Sequence, residues 1–297
     1  MISQPFFVKK VDNIRASTNG AAPATFLKAG INCHLPVFDP VTVDELTRIV
    51  RSAPNKQSSL HSSPTWLLKD CVDLLTPCLV TVLNHSLESG HFPSSYKDSF
   101  ITPLLKKPGS DSSTPKNYRP VSNISVASKM LERVVSSRMI ADLEKHQLLP
   151  SHQSADRKEH SVETALTKVL SDLISSLDKG ELGHLAFLDL SAAFDTVDHA
   201  ILLTRLELSF GLTYHALFRF KSYLDNRSQT AEFNGKHLPD LMFHMVCHKD
   251  QSLNRSFLCC TRQTLAASPI VMICCLISTL TTLSFTSVDR IRYKRQH

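Results

Sequence analysis

HLAFLDLSAAFDTVDH, residues 184–199, decides how the rest of this chain is read. Its LAFLDL run, apolar apart from one carboxylate, predicts a short buried strand. Asp189 lies inside that strand. A carboxylate in an apolar strand is costly without a partner, and a metal ion is the usual one. Ala192-Ala193, Phe194 and the acidic residues Asp195 and Asp198 follow. Taken alone, Asp189 reads equally well as a residue that ends a strand and caps a helix.

Working outward, Phe100–Leu105 predicts a strand, Lys106-Lys107-Pro108-Gly109 a hairpin-like turn, and residues 120–126 the return strand. Ser125–His146 predicts a helix whose inward face carries Met130, Leu131, Val134, Val135, Met139, Ile140 and Leu143. Ser161–Leu177 predicts another, with Val162, Leu166, Val169, Leu170, Leu173 and Ile174 inward. Further helices are expected around 199–209 and 213–224, then a strand over 230–233 and a tight turn at Asn234-Gly235. Nearer the start, FFVKKVDNIR reads as a helical turn or two, and Thr42 with Glu45 forms a capping box that opens a second helix. Residues 64–89 predict a long helix, Trp66 to Leu87 inward, kinked or broken at Pro77.

Composition narrows the function classes. The chain has 297 residues, 42% hydrophobic and 20% charged, which is globular and not disordered. It has 8 glycines and neither a GxGxxG nor a GxxxxGK[ST] motif, so the common nucleotide loops are excluded. The net charge is +6, but from His237 onward there are seven basic and three acidic residues, which leaves 26 against 24 before it. Bulk charge thus says little about partners, and any nucleic-acid argument rests on local groups. The 8 cysteines form no CxxC, and MISQPFFVKKVDNIR lacks the features of a signal peptide, so a reducing, intracellular setting, cytoplasmic or nuclear, is expected.

The 184–199 stretch resembles motif A of a reverse transcriptase, in particular of non-LTR (LINE-type) retrotransposons. Ordered matches precede it. KNYRPVSNIS at 116–125 resembles the family's fingers motif, Lys106-Lys107 its Lys-Pro-Gly position, and Gln153–Arg157 with HSVETAL its Gln-x-x-Phe/Tyr-Arg segment. PTWLLK at 64–69 is similar to the family's IPxWLLK. The resemblance runs from about Phe6 to Gly235. It implies an α/β fold, a partial right hand with fingers and the first half of a palm. It implies an RNA template and a DNA primer as partners and Mg²⁺ as cofactor. By the same resemblance Asp189 is the catalytic metal ligand, Lys107, Arg119 and Arg157 bind the incoming nucleotide, and Phe194 sits against the sugar 2′ position.

Two departures stand out. Asp156 occupies a position that is usually aromatic, where its charge would repel a triphosphate. Downstream, motif B (Gly-x-Pro-Gln-Gly-Ser) and motif C (Tyr/Phe-Ala-Asp-Asp) are missing, and no Asp-Asp occurs in the chain. A two-metal site needs carboxylates from separate strands to hold ions about 4 Å apart. The expectation is a C-terminally truncated, inactive fragment: a lead-in over 1–57, fingers and partial palm over 58–236, and a divergent, unstructured or frameshifted tail over 237–297. Two alternatives stay open, a non-enzymatic RNA-binding protein and a membrane protein anchored by the uncharged stretch 264–288. The His and Cys residues between 244 and 260 fit no common zinc spacing.

Overall fold

A computed structural model describes residues 5–17, 20–21, 23–30, 33–55, 65–149, 154, 157, 159–180, 197–233 and 236–237. The chain divides into two units, Met1–Leu149 with Ala192–Thr264 and Pro150–Ser191 with Leu265–His297.

In the first unit, α1 (Pro5–Ser17) is longer than the turn or two expected. Helix α2 (Val43–Ser52) begins where its capping signal puts it, with Thr42 Oγ1 accepting from the Glu45 N–H at 3.2 Å. Only half of the capping box forms. The Glu45 carboxylate instead takes a two-pronged grip from Arg138, at 2.6 and 2.8 Å. That hydrogen-bonded fork holds the Glu45 carboxyl below its usual range.

The helix expected over 64–89 is two helices, α3 (Thr65–Asp70) and α4 (Val72–Ser89). The break falls at Cys71, not at Pro77. Pro77 sits on the exposed side of α4, where it removes only the bond to the Asp73 carbonyl, which also faces solvent. The break shifts the helical phase. Trp66 and Leu67 therefore turn outward, against expectation, while Val72, Leu83 and Leu87 are buried.

Strand β1 (Ser99–Leu105) pairs antiparallel with β2 (Tyr118–Ile124), Ser99 facing Ile124 and Leu105 facing Tyr118. The return strand starts two residues earlier than predicted, and the turn is the longer loop 106–117. Helix α5 (Val126–Lys145) follows, capped by Ser125 through the Ser128 N–H at 3.1 Å. Its predicted inward face is buried, except that Ile140 is only partly covered. Helix α6 (Val162–Asp178) belongs to the second unit and opens with a capping box between Ser161 and Thr164. Of its expected apolar stripe only Val169 is buried, together with Ala165, while Leu166, Leu170 and Ile174 are exposed. Among the described residues α6 is the one regular element of that unit.

Back in the first unit, α7 (His199–Leu208) and α8 (Tyr214–Leu224) lie within a residue or two of expectation. Strand β3 (Gln229–Phe233) pairs parallel with β1, and β4 (Lys236–His237) pairs antiparallel with β3, in the sheet order β2-β1-β3-β4. Phe233 faces Lys236, and the turn expected at Asn234-Gly235 lies outside the described residues. The architecture is a helix-rich α/β fold. The strand expected around Asp189 lies outside the described residues. So does the stretch 264–288; among the described residues no helix is long and apolar enough to cross a membrane.

The core joins Phe38 and Val41 to α2, α4, α5, α7 and α8. One polar cluster is buried within it. Glu132 of α5 is 1% exposed and accepts a hydrogen bond from the Tyr223 hydroxyl at 2.9 Å. Burial drives its carboxyl up to about 7, against the pull of the Arg227, Lys129 and Arg219 charges and of the Tyr223 bond. Arg219 donates to the Ser86 carbonyl at 2.7 Å and lies 5.5 Å from the Phe92 ring. Arg227 lies 4.3 Å from the Tyr223 ring.

A strap that includes residues 33–38 crosses the α7–α8 turn. The Leu35 N–H donates to the Gly211 carbonyl at 2.9 Å, the Thr213 N–H to Leu35 at 3.0 Å, and the Ala216 N–H to Pro36 at 2.9 Å. These bonds require a close approach at Gly211, where a Cβ would meet the Cys33 carbonyl oxygen at 2.1 Å and φ is +71. Within the expected lead-in, Phe38, Val41, Leu46 and Val50 thus join the core of this unit.

Two outcomes follow. Gly211→Ala loses at least about 2 kcal/mol in urea unfolding, from left-handed backbone and backbone clash together. Gly109→Ala, at φ +79 with nothing within 4 Å, loses only about 1 kcal/mol; equal losses would refute the strap contact. For Glu132 the folded state holds a proton that the unfolded chain releases. Stability therefore falls as pH rises from 4.5 to about 7. The fall amounts to about 3 kcal/mol. Glu132→Gln flattens that slope in unfolding midpoints measured from pH 4.5 to 8; an unchanged slope would assign it to another group.

Candidate nucleotide-binding hairpin

The sequence pattern that carries chemistry and is described in space is the β1–β2 hairpin. Strand pairing brings the end of β1 to the start of β2, with Leu104 opposite Arg119. The loop between them is closed by the Lys106 N–H donating to the Asn117 carbonyl at 2.8 Å. Asp111 organises its interior. The carboxylate accepts from the Ser113 N–H at 2.9 Å, the Ser113 hydroxyl at 2.7 Å and the Thr114 hydroxyl at 2.6 Å. The Thr114 hydroxyl, followed by the Ser113 donors, keeps Asp111 below the ordinary carboxylate range. The Tyr118 hydroxyl donates to the Ser112 carbonyl at 3.1 Å and pins the loop to the strand.

This frame gathers Lys106, Lys107, Lys116 and Arg119 on one hairpin. Lys106 and Lys107 are exposed. Lys106 Nζ donates to the Lys116 carbonyl at 2.7 Å, and Arg119 Nη2 donates to the Lys106 carbonyl at 3.3 Å. The Arg119 guanidinium is therefore oriented by main chain rather than by a carboxylate, and its remaining donors keep their fork for an oxyanion. Among the described residues the ion pairs lie elsewhere than at Lys107, Lys116 and Arg119.

Two of the five residues expected to form the site, Lys107 and Arg119, are brought together here. Arg157 is described but belongs to the other unit. Asp189 and Phe194 lie outside the described residues, as do Asp156 and Asp195. Asp198, the last acidic residue of the opening stretch, caps α7 by accepting from the Ile201 N–H at 2.9 Å. Among the described residues no group of three or more His, Cys, Asp and Glu side chains could hold a metal ion. The sequence reading missed the Glu132 cluster. The signal was available, since Glu132 shares a helical face with Ser136, Met139 and Leu143.

Comparison with known proteins gives this geometry its context. A family model described as reverse transcriptase (RNA-dependent DNA polymerase) matches residues 105–284, from the end of β1 past the last described strand. The chain is 28% identical over 202 residues to a probable RNA-directed DNA polymerase from transposon BS of Drosophila melanogaster. That alignment covers 68% of this chain and 22% of the relative. It is 30% identical over 217 residues to an RNA-directed DNA polymerase from mobile element jockey of Drosophila funebris, covering 71% and 23%. A probable polymerase from transposon X-element of Drosophila melanogaster is 28% identical over 210 residues, covering 70% and 23%. The chain thus spans less than a quarter of the length of these relatives. With the family matched over more than half of its residues, the chain belongs to the reverse transcriptase (RNA-dependent DNA polymerase) family, among those of non-LTR retrotransposons.

Proposed function

We propose that this chain is the nucleotide-handling part of an RNA-directed DNA polymerase, fingers with the first half of a palm, and that it is catalytically silent on its own. The observation that supports this reading is the hairpin, which carries Arg119 at the start of β2 and Lys107 in the loop that follows β1, both inside the matched region. An oriented guanidinium fork with a flanking ammonium fits the oxygens of a triphosphate. Enzymes of the family work with divalent metal ions and act on an RNA template and a primer. In this reading Asp189 is one Mg²⁺ ligand, Arg157 a further phosphate contact, and Phe194 the group against the sugar. Silence follows from the absent second acidic pair, because a single carboxylate cannot align both ions. The family match to residue 284 favours a divergent continuation of the polymerase over 237–297 rather than a membrane anchor at 264–288.

The test has two arms. A fluorescent deoxynucleoside triphosphate binds the full chain, and Arg119→Ala or Lys107→Ala weakens binding by at least tenfold. Arg119→Lys recovers only part, since the fork is lost. Primer extension on homopolymer RNA shows no incorporation; synthesis that Asp189→Ala abolishes would overturn the inactivity, and binding indifferent to both hairpin variants would overturn the nucleotide reading.

A further inference from the structure

Helix α8 presents two faces of opposite kind. Ala216, Phe220, Tyr223 and Leu224 fill the core. On the outer side Tyr214 is 75% exposed, and Phe218, one helical turn on, is 48% exposed. Single exposed apolar residues need no explanation, but Tyr214 is held in place. Tyr214 has a φ of +43, a left-handed conformation that costs energy for a bulky side chain. The strap imposes it. The Thr213 N–H is tied to the Leu35 carbonyl, the Thr213 hydroxyl lies 3.0 Å from His34 Nε2, and the His34 ring meets the Tyr214 ring edge-on at 6.1 Å between centroids. Strain, a backing ring and exposure thus converge on one side chain.

We propose that Tyr214 and Phe218 form a stacking platform for bases of single-stranded nucleic acid. Every base offers a flat π face, so aromatic side chains hold an unpaired strand without reading its sequence. Charge selects this occupant. Between Tyr214 and Leu224 the helix has no acidic residue, and Lys221, three residues on from Phe218, is exposed. A polyanion fits such a face. The proposal rests on the reading of the chain as one that handles nucleic acid, but it uses none of the hairpin residues.

The test is binding of labelled oligo(U) and oligo(dT) to the full chain by fluorescence anisotropy across a salt series. Tyr214→Ala, Tyr214→Leu and Phe218→Ala each weaken binding by at least fivefold, with the salt dependence unchanged, because stacking releases no counterions. Tyr214→Phe keeps wild-type affinity. Oligomers carrying 5-iodouracil cross-link to Tyr214 or Phe218 on irradiation. Unfolding midpoints of the variants stay within error of wild type, which separates lost stacking from lost fold. Arg119→Ala lowers the salt dependence if the hairpin also holds phosphates. If triphosphate binding is indifferent to Arg119→Ala while Tyr214→Ala still weakens oligomer binding, the hairpin reading fails and the platform stands. Wild-type affinity in both alanine variants, full recovery by Tyr214→Leu, or a wild-type chain that binds neither oligomer overturns the platform.

Discussion

A carboxylate shut away from water is the constraint on which α4, α5 and α8 have to agree. Glu132 cannot be buried cheaply, and the surrounding elements answer it with the Tyr223 hydroxyl and two guanidinium groups. Burial also holds Arg219 down at about 10. The excess positive charge rests on ring faces, Phe92 beneath Arg219 and Tyr223 beneath Arg227. The arrangement reaches beyond the helices. Arg227 stands just ahead of β3, and the next residue, Ser228, accepts the Ser99 N–H at 3.1 Å. The cluster therefore helps set where β3 lies along β1, and β1 carries the hairpin. A core polar group and the candidate site are linked through one strand register.

Elements with strong local signals were legible in the sequence, and those decided by long-range partners were not. The apolar spacing of α5 and the Thr42 cap are local and appear as read, and α5 and α6 begin within a residue of the expected Ser125 and Ser161. The capping box at Thr42 was half right because Arg138, far along the chain, outcompetes the local bond for Glu45. The helix break moved from Pro77 to Cys71 because a proline on a solvent-facing side costs one hydrogen bond and no packing. The strap was invisible, since its pairing with Gly211 is set by backbone approach and not by side-chain pattern. The same holds for the site. Lys107 and Arg119 could be placed on one hairpin from turn chemistry and strand pattern. That the guanidinium would settle on the Lys106 carbonyl depends on cross-strand register.

The aspartates of the opening stretch show why a motif marks ancestry better than activity. Asp198 has a structural use, holding the first turn of α7, and helix capping alone accounts for it. Asp189 has no such account within the described residues, and its chemistry in the family depends on a second strand that this sequence does not encode. Nucleotide binding has a weaker requirement. It needs phosphate donors in fixed relation, and an antiparallel hairpin supplies that relation from its own loop, without a complete palm. Base stacking needs still less, one helix face and a strap to hold it. The two proposed contacts, ionic grip and stacking, therefore rest on separate supports, β1–β2 and α8. A chain that lost the second acidic pair would lose synthesis first and affinity for nucleotides and strands last.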